Sequence, residues 1–434
     1  MKVLRSINRT ISLLILLAAA LGMPVTGQGQ NNSTESPYTR FGIGMRNETA
    51  STASRALGGT AYALRRADII NSKNPASYAA VDSQTFIFDF GGSFGVSLLK
   101  DQNNKDTRIL GNFEYAAMLF PITKWMAVSA GIKPYASVGY RLGTTEPIPG
   151  AKDRNFMVES RGLGNISNLF FGMSFEPFKH FTLGANFSYL FGKEVHARAI
   201  DYGTSASYNP NFYETLSLRA FKTDLGMQYA FAVGKQGLLT LGAVYSPSLP
   251  FRSKQTFWDN ISQGGAIVKE VRRDTISSRD AFRMPHEIGL GVAYSVENKL
   301  LLLADLQYNI WSNAFIDTSK ATPTNQFGFS LGASFIPDSE SRSLGRRMEY
   351  RFGLSGENHY LQLLDATGAL KGSLVGAISA GIGIPMVDRR SWVDLTVEYK
   401  HLMPRAKGFV SENYWQLTFG LRFNEAWFRK LKLD

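Results

Sequence analysis

The stretch Thr85-Phe-Ile-Phe-Asp-Phe-Gly-Gly-Ser-Phe-Gly-Val-Ser-Leu-Leu99 alternates between large apolar side chains and small or polar ones. A period of two places successive side chains on opposite faces and is typical of a β-strand. One face carries four phenylalanines, and Ile87 is the one large apolar residue on the other face. A wall between lipid and a polar lumen needs such a row on strands of about ten residues. The stretch therefore predicts the first strand of a membrane barrel.

The N-terminus has the features of an export signal. Three basic residues lie within the first nine positions, and an apolar run follows from residue 11 to residue 21. This run is too short to cross a bilayer as a helix, and small residues come after it. We therefore expect residues 1–27 to be a signal peptide, with cleavage after Gly27 or Gly29.

The composition narrows the class of protein. The chain has no Cys, which excludes disulfides, thiolate metal sites and a lipid anchor on Cys. The net charge of +12 is spread over loops and turns. We therefore expect no nucleic acid as partner, and anionic lipid head groups as the counter-charge. Abundant Phe, Tyr and Gly with a near-neutral mean hydropathy fit strands that alternate between lipid and lumen.

From residue 85 onward the chain resolves into fourteen alternating segments. An even number returns both ends of a barrel to the same side of the membrane. Connections after even segments are mostly short and those after odd segments longer, the longest being expected between residues 250 and 283. Short periplasmic turns and long outer loops are typical of outer-membrane barrels. We predict an all-β fold: a 14-stranded antiparallel transmembrane β-barrel over residues 83–423, with both termini periplasmic.

The residues outside this barrel are assigned to two further segments. Residues 28–82 form an N-terminal extension and hatch, a plug inside the barrel, in which residues 28–36 are expected to be mobile. Within the plug we expect a turn at Gly58-Gly59 and a short helix near residues 61–67. Residues 424–434 mix aromatic and basic side chains and are assigned to a periplasmic amphipathic tail at the membrane interface.

Two early strands carry specific expectations about side-chain direction. On the second strand, about residues 108–120, the outward side chains are expected to be Phe113, Tyr115, Ala117 and Leu119. On the third strand, residues 125–142, one face is expected to be mainly apolar and to include Ala136, Val138 and Tyr140. The opposite, lumenal face is expected to include Lys133, Tyr135 and Arg141.

Several motifs suggest a family. Arg55-Ala-Leu-Gly-Gly-Thr-Ala61 and Asn74-Pro75-Ala76 precede the first strand. The strand Met284-Pro-His-Glu-Ile-Gly-Leu-Gly-Val-Ala-Tyr294 is followed by Leu303-Ala-Asp-Leu-Gln-Tyr-Asn-Ile-Trp311. On these residues the chain, from about residue 40 to its end, resembles the FadL family of outer-membrane transporters for long-chain fatty acids and other hydrophobic compounds.

The resemblance implies passive uptake. A hydrophobic ligand would pass from the outer loops to a lumenal pocket, and then sideways into the bilayer through a gap at a kink in the third strand, beside the hatch. Pro134 lies inside that strand, and proline cannot donate to the ladder. The candidate site is therefore the opening at Gly131, Lys133, Pro134 and Tyr135, gated by the hatch tripeptide Asn74, Pro75 and Ala76. The alternative is an ordinary bulge without an opening.

Motifs for catalysis are missing from the sequence. It contains no Gly-x-Ser-x-Gly elbow and no phosphate-binding glycine loop, and its five His are not spaced as metal ligands. Ser355 and His359 share a face through strand alternation alone. We expect no enzyme, no metal and no cofactor. The basic surplus over residues 252–283 suits the anionic sugar-lipid leaflet or a solvated loop.

Three functions remain open at this point. The first is transport of a hydrophobic small molecule or lipid through the outer membrane. The second is a barrel subunit of a larger outer-membrane secretion or assembly complex, which binds a protein partner instead of moving a solute. The third, an aqueous porin, conflicts with a plug of this length.

Overall fold

The computed structural model describes residues 34–47, 51–102, 104–148, 150–151, 154–296, 299–312, 321–365, 367–406 and 408–426. The predicted signal peptide and most of the predicted C-terminal tail lie outside these ranges. No helix within them is long and apolar enough to cross a membrane.

Fourteen antiparallel strands form the wall in the described part of the chain. Their bounds are β1 Thr85–Lys100, β2 Lys105–Thr123, β3 Met126–Pro147, β4 Asn155–Phe178, β5 Phe181–Asp201, β6 Asn209–Val233, β7 Gly237–Ser246 with Pro250–Gln263, β8 Ala266–Arg283 with His286–Val296, β9 Leu300–Ile310, β10 Gln326–Phe335, β11 Glu349–Asn358, β12 Ser373–Pro385, β13 Trp392–Pro404 and β14 Ser411–Ala426. Each strand pairs with the next over at least part of its length. β14 pairs with β1 along the whole of β1, which closes the sheet. The predicted 14-stranded barrel is confirmed.

The remaining elements are short. Two α-helices, two 3-10 helices and four short strands complete the described chain: α1 Thr52–Ala56, α2 Leu344–Arg347, Pro37–Arg40, Pro75–Ala80, Met45–Arg46, Ala321–Pro323, Leu361–Leu364 and Leu370–Lys371. The last three strands form a small sheet in the connections that follow β9 and β11. The predicted turn at Gly58-Gly59 is present, and both residues have positive φ, 70° and 81°.

The expectation of a short helix near residues 61–67 is wrong. The helix of this segment is α1, which lies before the Gly58-Gly59 turn. The Ser51 hydroxyl caps α1 by accepting from the Ser54 amide at 3.2 Å. The amides of Ala61 and Tyr62 instead donate to the Asp305 carboxylate on β9, at 2.6 and 2.9 Å. A contact to the barrel wall thus replaces the helical hydrogen bonds that local propensity favours.

The alternation of β1 divides its side chains as the sequence predicts. Phe94 on the outward face is half exposed, while Ile87 on the other face is fully buried. Ile87 packs inside the barrel with Ile70, Tyr78 and Val81 of the N-terminal segment. The one large apolar residue on the lumenal face is therefore a packing contact for the segment inside.

A bulge reverses the side-chain direction on β2. Glu114 is an extra residue in the pairing of β2 with β1. One extra residue turns the following side chains to the opposite face. Phe113, before the bulge, is exposed as expected. The expected outward direction is wrong for three residues beyond it, which are buried inside the barrel: Tyr115, Ala117 and Leu119.

A second bulge lies on β3 at Tyr135, which is extra in the pairing with β4 between Pro134 and Ala136. The expected faces of β3 are therefore wrong beyond this point. The Arg141 side chain, expected in the lumen, is 65% exposed and pairs with Glu159. Three residues expected on the lipid face are buried: Ala136, Val138 and Tyr140.

The expectation of a long outer loop between residues 250 and 283 is wrong, because these residues form a β-hairpin. Its arms are the upper segments of β7 and β8, and its turn is Gly264-Gly265, with φ of 57° and 84°. Two glycines at positive φ suit the tight hairpin turn. The first arm also pairs with the upper half of β6, from Asn209 to Arg219.

The wall is taller on one side than on the other. β6 has 25 residues and β10 has 10. A tilted strand needs about 9–11 residues to cross the bilayer. The strands around the hairpin therefore continue well beyond the outer membrane surface, while those from β9 to β12 end close to it.

Candidate functional site: the lumen and the gap between two strands

The N-terminal segment, of which residues 34–47 and 51–82 are described, lies inside the barrel and is joined to the wall by buried ion pairs. The lowest cluster lies near the periplasmic ends of β11, β13 and β14. Arg351 contacts Glu349 at 2.6 Å and Asp394 at 2.5 Å, and Arg422 contacts Asp394 at 3.3 Å. All four side chains are almost fully buried, so each charge depends on its partners for stabilisation.

Two residues of the N-terminal segment complete this cluster. Arg66 contacts Glu349 at 2.6 Å and Asp68 at 2.9 Å, and Asp68 contacts Arg422 at 3.1 Å. Burial by itself would raise the pKa of Asp68, but Arg66 and Arg422 outweigh it and hold the pKa below its ordinary value. The segment is thus fixed to the wall by alternating charges.

A second cluster holds α1. Arg55 contacts Glu114 on β2 at 2.7 Å and Glu398 on β13 at 3.7 Å. Glu114 also accepts from Ser93 at 2.6 Å and from Gln416 at 2.8 Å. The bulge residue of β2 therefore supplies the 2.7 Å ion pair that joins this helix to β2.

A third cluster lies on the opposite wall. Glu287 on β8 pairs with Arg46 of the N-terminal segment and with Lys222 on β6, the latter at 3.1 Å. Lys222 also pairs with Asp224 on the same strand. In these three clusters lumenal charges neutralise one another around the segment that fills the barrel.

The tripeptide Asn74-Pro75-Ala76 packs against β5 and β6. The Asn74 side chain accepts from the Ala76 amide at 3.1 Å and donates to the Tyr62 carbonyl at 2.6 Å. Glycines on the wall leave room for it: a Cβ on Gly226 would lie 2.1 Å from the Asn74 Oδ1. The tripeptide therefore fixes the fold of the segment and its position against the wall.

The structure does not place the tripeptide directly against the Pro134 kink. The connection between them runs through Lys133, whose Nζ donates to the Ser72 hydroxyl at 3.0 Å. Gly131 lies close to the neighbouring strand β2, so a Cβ at this position would lie 2.5 Å from the Ala116 carbonyl oxygen. Of the four kink residues, Lys133 is thus the one bonded to the N-terminal segment near the tripeptide.

The wall is incomplete between β2 and β3. Their pairing runs from Thr123–Met126 at the periplasmic turn to Ala116–Ile132. Above that level β2 continues to its start at Lys105 and β3 to its end. Both strands are described over their whole lengths, and no further register pair joins them.

The N-terminal segment takes the place of β2 along the upper part of β3. Met45 pairs with Ser137, and the Asn47 amide donates to the Tyr135 carbonyl at 2.9 Å. Higher up, the Ser36 amide donates to the Gly139 carbonyl at 2.8 Å. Of residues 28–36, which are expected to be mobile, the described residues 34–36 lie against β3, where Thr34 and Ser36 are buried and Glu35 is half-buried.

A cavity of about 200 Å³ lies beside this gap. On the side of the gap it is lined by Glu114, Pro134 and Ser137, on β9 by Asp305 and Gln307, and on β13 by Lys400. Its walls combine charged groups with apolar ones. The arrangement suits a molecule with a polar end better than a pure hydrocarbon.

An apolar cluster closes the lumen toward the outside. Trp311 and Tyr360, from the connections after β9 and β11, stack with ring centroids 4.5 Å apart. Ile43 and Leu361 pack in the same cluster, and the Tyr360 hydroxyl donates to the Gly44 carbonyl at 2.8 Å. The connections after β9 and β11 thus cover Ile43 and Gly44, which directly precede the residues of the N-terminal segment that pair with β3.

The histidine closest to Ser355 in the sequence has a structural role. The His359 Nδ1 accepts from the Leu361 amide at 3.2 Å, so this ring fixes the outer connection. In the described residues no group of three or more His, Asp or Glu is placed to hold a metal ion.

The sequence did not reveal that residues 34–47 would pair with β3. A signal was present in Gly42-Ile43-Gly44-Met45, because two glycines beside apolar residues allow a close backbone approach. A Cβ on Gly44, whose φ is 78°, would lie 2.3 Å from the Ser137 carbonyl oxygen. The other missed residues are Arg46 and Arg55, whose partners lie on distant strands.

The closed barrel, the segment inside it and the incomplete wall define an outer-membrane barrel of the FadL type. Similar solved structures are the Pseudomonas putida toluene transporter TodX (TM-score 0.58, 14% identity, covering 88% of this chain and 100% of that one) and the Ralstonia pickettii toluene transporter TbuX (0.53, 16%, 86% and 98%). A Pseudomonas aeruginosa FadL homologue is similar too (0.56, 13%, 88% and 99%). The predicted FadL-type architecture is confirmed.

The family model described as BamG matches residues 9–434, and the chain belongs to the BamG family. The comparison with curated proteins found no match.

Proposed function

We propose that this chain passes small amphipathic or hydrophobic molecules, fatty-acid-like in character, from its lumen into the membrane between β2 and β3. The proposal rests on one observation: the cavity lies at the part of β3 that is not paired with β2. The lumenal cavity reaches Pro134 and Ser137, which lie where β3 has lost its pairing with β2. The fold shared with two toluene transporters supports transport of a small hydrophobic molecule in general, and the charged groups of the cavity favour one with a polar end.

In this proposal residues 34–47 are the gate. They are joined to β3 by a two-residue strand and a few hydrogen bonds, each contributing roughly 1 kcal/mol. Residues 51–82, with the buried Asn74-Pro75-Ala76 turn and the ion-pair clusters, are the fixed part of the hatch. Movement of the gate exposes the free edge of β3 and connects the cavity to lipid without unfolding the barrel.

A disulfide between the gate and β3 tests this. The chain has no Cys, so Met45→Cys with Ser137→Cys introduces a single possible crosslink. Oxidised protein in liposomes should lose uptake of a fluorescent dodecanoate, and reduction should restore it. The matched control is Leu301→Cys with Ser334→Cys, which joins two wall strands at an equivalent register pair. Full uptake by the crosslinked gate variant would exclude the gate.

A second candidate is a barrel subunit of a larger outer-membrane assembly, and the hairpin favours it. The arm Ala266–Arg283 pairs with the first arm of the hairpin, and its other edge has no partner strand among the described residues. Four large apolar side chains on this arm are about half exposed: Ile267, Val268, Val271 and Ile276. A free strand edge with apolar side chains is a template for strand addition by a partner.

The two candidates are separated by native gels of solubilised membranes. If the hairpin binds a partner, Val268→Asp with Val271→Asp should remove a high-mass complex. Val387→Asp, on the exposed connection after β12, is the control and should retain it. A high-mass complex that is unchanged in the hairpin variant would count against this candidate, and absence of uptake by the unmodified protein would count against the first.

A further inference from the structure

A groove of about 1240 Å³ opens on the outer surface of the barrel where β7 is interrupted between its two segments. Its lower part is aromatic, formed by Tyr189 and Phe191 on β5 and Phe221 on β6. The Tyr189 ring lies 5.4 Å from Phe221 and 5.7 Å from Phe191, between ring centroids. These side chains belong to the outward face of their strands, and Phe221 is 71% exposed.

The upper part of the groove is basic. Lys193, Arg219, Arg252 and Lys254 line it, one each on β5 and β6 and two on β7. All four side chains are exposed. Among the residues whose side chains the structure describes, none of the four is in an ion pair, whereas eleven other arginines have carboxylate partners inside or outside the barrel.

In the strand register these cations occupy two neighbouring rows. Both rows lie farther outward than the aromatic row of Tyr189 and Phe221. Tyr189 is opposite Phe221, and in the next outward row Phe191 is opposite Arg219, which is opposite Arg252. Like charges directly opposite each other in a sheet are destabilising. Two arginines in this relation concentrate positive charge at one place on the wall, and an anion bound between them would offset their repulsion.

The height of the rows identifies the surroundings of that anion. On β5 the outward face is apolar from Phe181 to Phe191 and becomes basic at Lys193. That length of strand is about what a barrel strand needs to cross the bilayer. The cations therefore lie at the outer lipid surface, with the aromatic rings just inside the acyl region, where such rings are typical.

We propose that this groove is a binding site for one phosphorylated lipid of the outer leaflet. The phosphate lies between Arg219 and Arg252, with Lys193 and Lys254 around it, and an acyl chain lies along Tyr189, Phe191 and Phe221. Guanidinium groups bind phosphate through two parallel hydrogen bonds, which makes an arginine pair suitable for a single head group. The site is on the outer surface and is independent of the lumenal route.

Native mass spectrometry in dodecyl maltoside tests the site, with lipid A as the probe. The unmodified protein should retain one lipid A, and Arg219→Gln with Arg252→Gln should lower its retention about tenfold or more. The control is Arg272→Gln with Arg273→Gln, which removes the same charge from residues already paired with Asp274 and Glu270. Equal losses in the two variants, or no loss in the first, would overturn the proposal.

Two further arms identify the source of the anion. Phe221→Ala should weaken lipid A binding while leaving the four cations in place. Inorganic phosphate at the same concentration should neither bind nor displace the lipid. If phosphate alone saturates the site, or if Phe221→Ala has no effect, the groove is not a lipid site. Loss of lipid A with dodecanoate uptake unchanged would separate this site from the transport proposal.

Discussion

Gly226 shows how a single residue on the wall fixes the segment inside. Its missing side chain gives room to Asn74, since a Cβ there would lie 2.1 Å from the Asn74 Oδ1 and 2.9 Å from the Pro75 Cδ. Gly226→Ala must therefore displace the buried turn. We expect a loss of about 1–3 kcal/mol in the free energy of unfolding, and faster proteolysis of residues 51–82.

The control for this substitution is Gly376→Ala on β12. The nearest atom to a Cβ at that position is the Met403 Cε, at 4.0 Å. Urea unfolding in liposomes should show a change within about 0.5 kcal/mol for the control. Equal stability of the two variants would mean that the Asn74-Pro75 turn is not held by the wall.

The charge cluster at the periplasmic end makes a second prediction for a single residue. Asp394→Asn removes the carboxylate shared by Arg351 and Arg422, both of which are buried. Because a buried charge that loses its partner is costly, we expect a destabilisation of about 3 kcal/mol. Glu340→Gln removes the partner of Arg389 in an exposed pair and should cost less than about 1 kcal/mol. Heat-modifiability on gels distinguishes the two outcomes.

At the scale of single strands, the bulge at Glu114 makes the next prediction. Beyond it Met118 is 39% exposed and Leu119 is 1% exposed, the reverse of what uninterrupted alternation implies. A spin label on Met118→Cys should therefore be relaxed by oxygen dissolved in lipid, and one on Leu119→Cys should not. Phe187→Cys and Ser188→Cys provide a reference pair on β5, where alternation is unbroken. The opposite result at β2 would show that the strand has no bulge at Glu114.

Strand alternation was sufficient to predict the number of strands and the closure of the barrel. It failed where one residue is inserted into the ladder, at Glu114 and at Tyr135, because the sequence on either side of a bulge still alternates. Pro134 did indicate a local irregularity, as its missing N–H requires. The direction of the side chains beyond it depends on the pairing, which local sequence does not contain.

The candidate site was less accessible to prediction than the wall. The tripeptide Asn74-Pro75-Ala76 and the residues around Pro134 could be selected, but their separation and the link through Lys133 and Ser72 depend on tertiary packing. The many charges on the two arms favour a loop at residues 250–283, although Gly264-Gly265 is a hairpin signal. The roles of these residues stay predictions.

At the scale of the whole molecule, the tall side of the barrel is separable from the part that crosses the membrane. The two arms of the hairpin meet the wall at Leu249 and Met284, where the Met284 amide donates to the Leu249 carbonyl at 2.9 Å. This hydrogen bond and the pairing of the lower segments join β7 to β8 independently of the hairpin. Replacing residues 250–283 by Asn-Gly should therefore leave a folded barrel, because a two-residue turn suits strands that are already in register.

The excision also separates the proposed functions, since the gate and the cavity lie at β2 and β3 while the hairpin lies at β7 and β8. We expect dodecanoate uptake to persist and any high-mass complex to disappear. Replacing only Gly264-Gly265 by Asn-Gly is the control, and it should retain both properties because the arms remain. Loss of uptake in the excised barrel, with heat-modifiability intact, would show that the tall wall takes part in transport and that the two halves of the molecule act together.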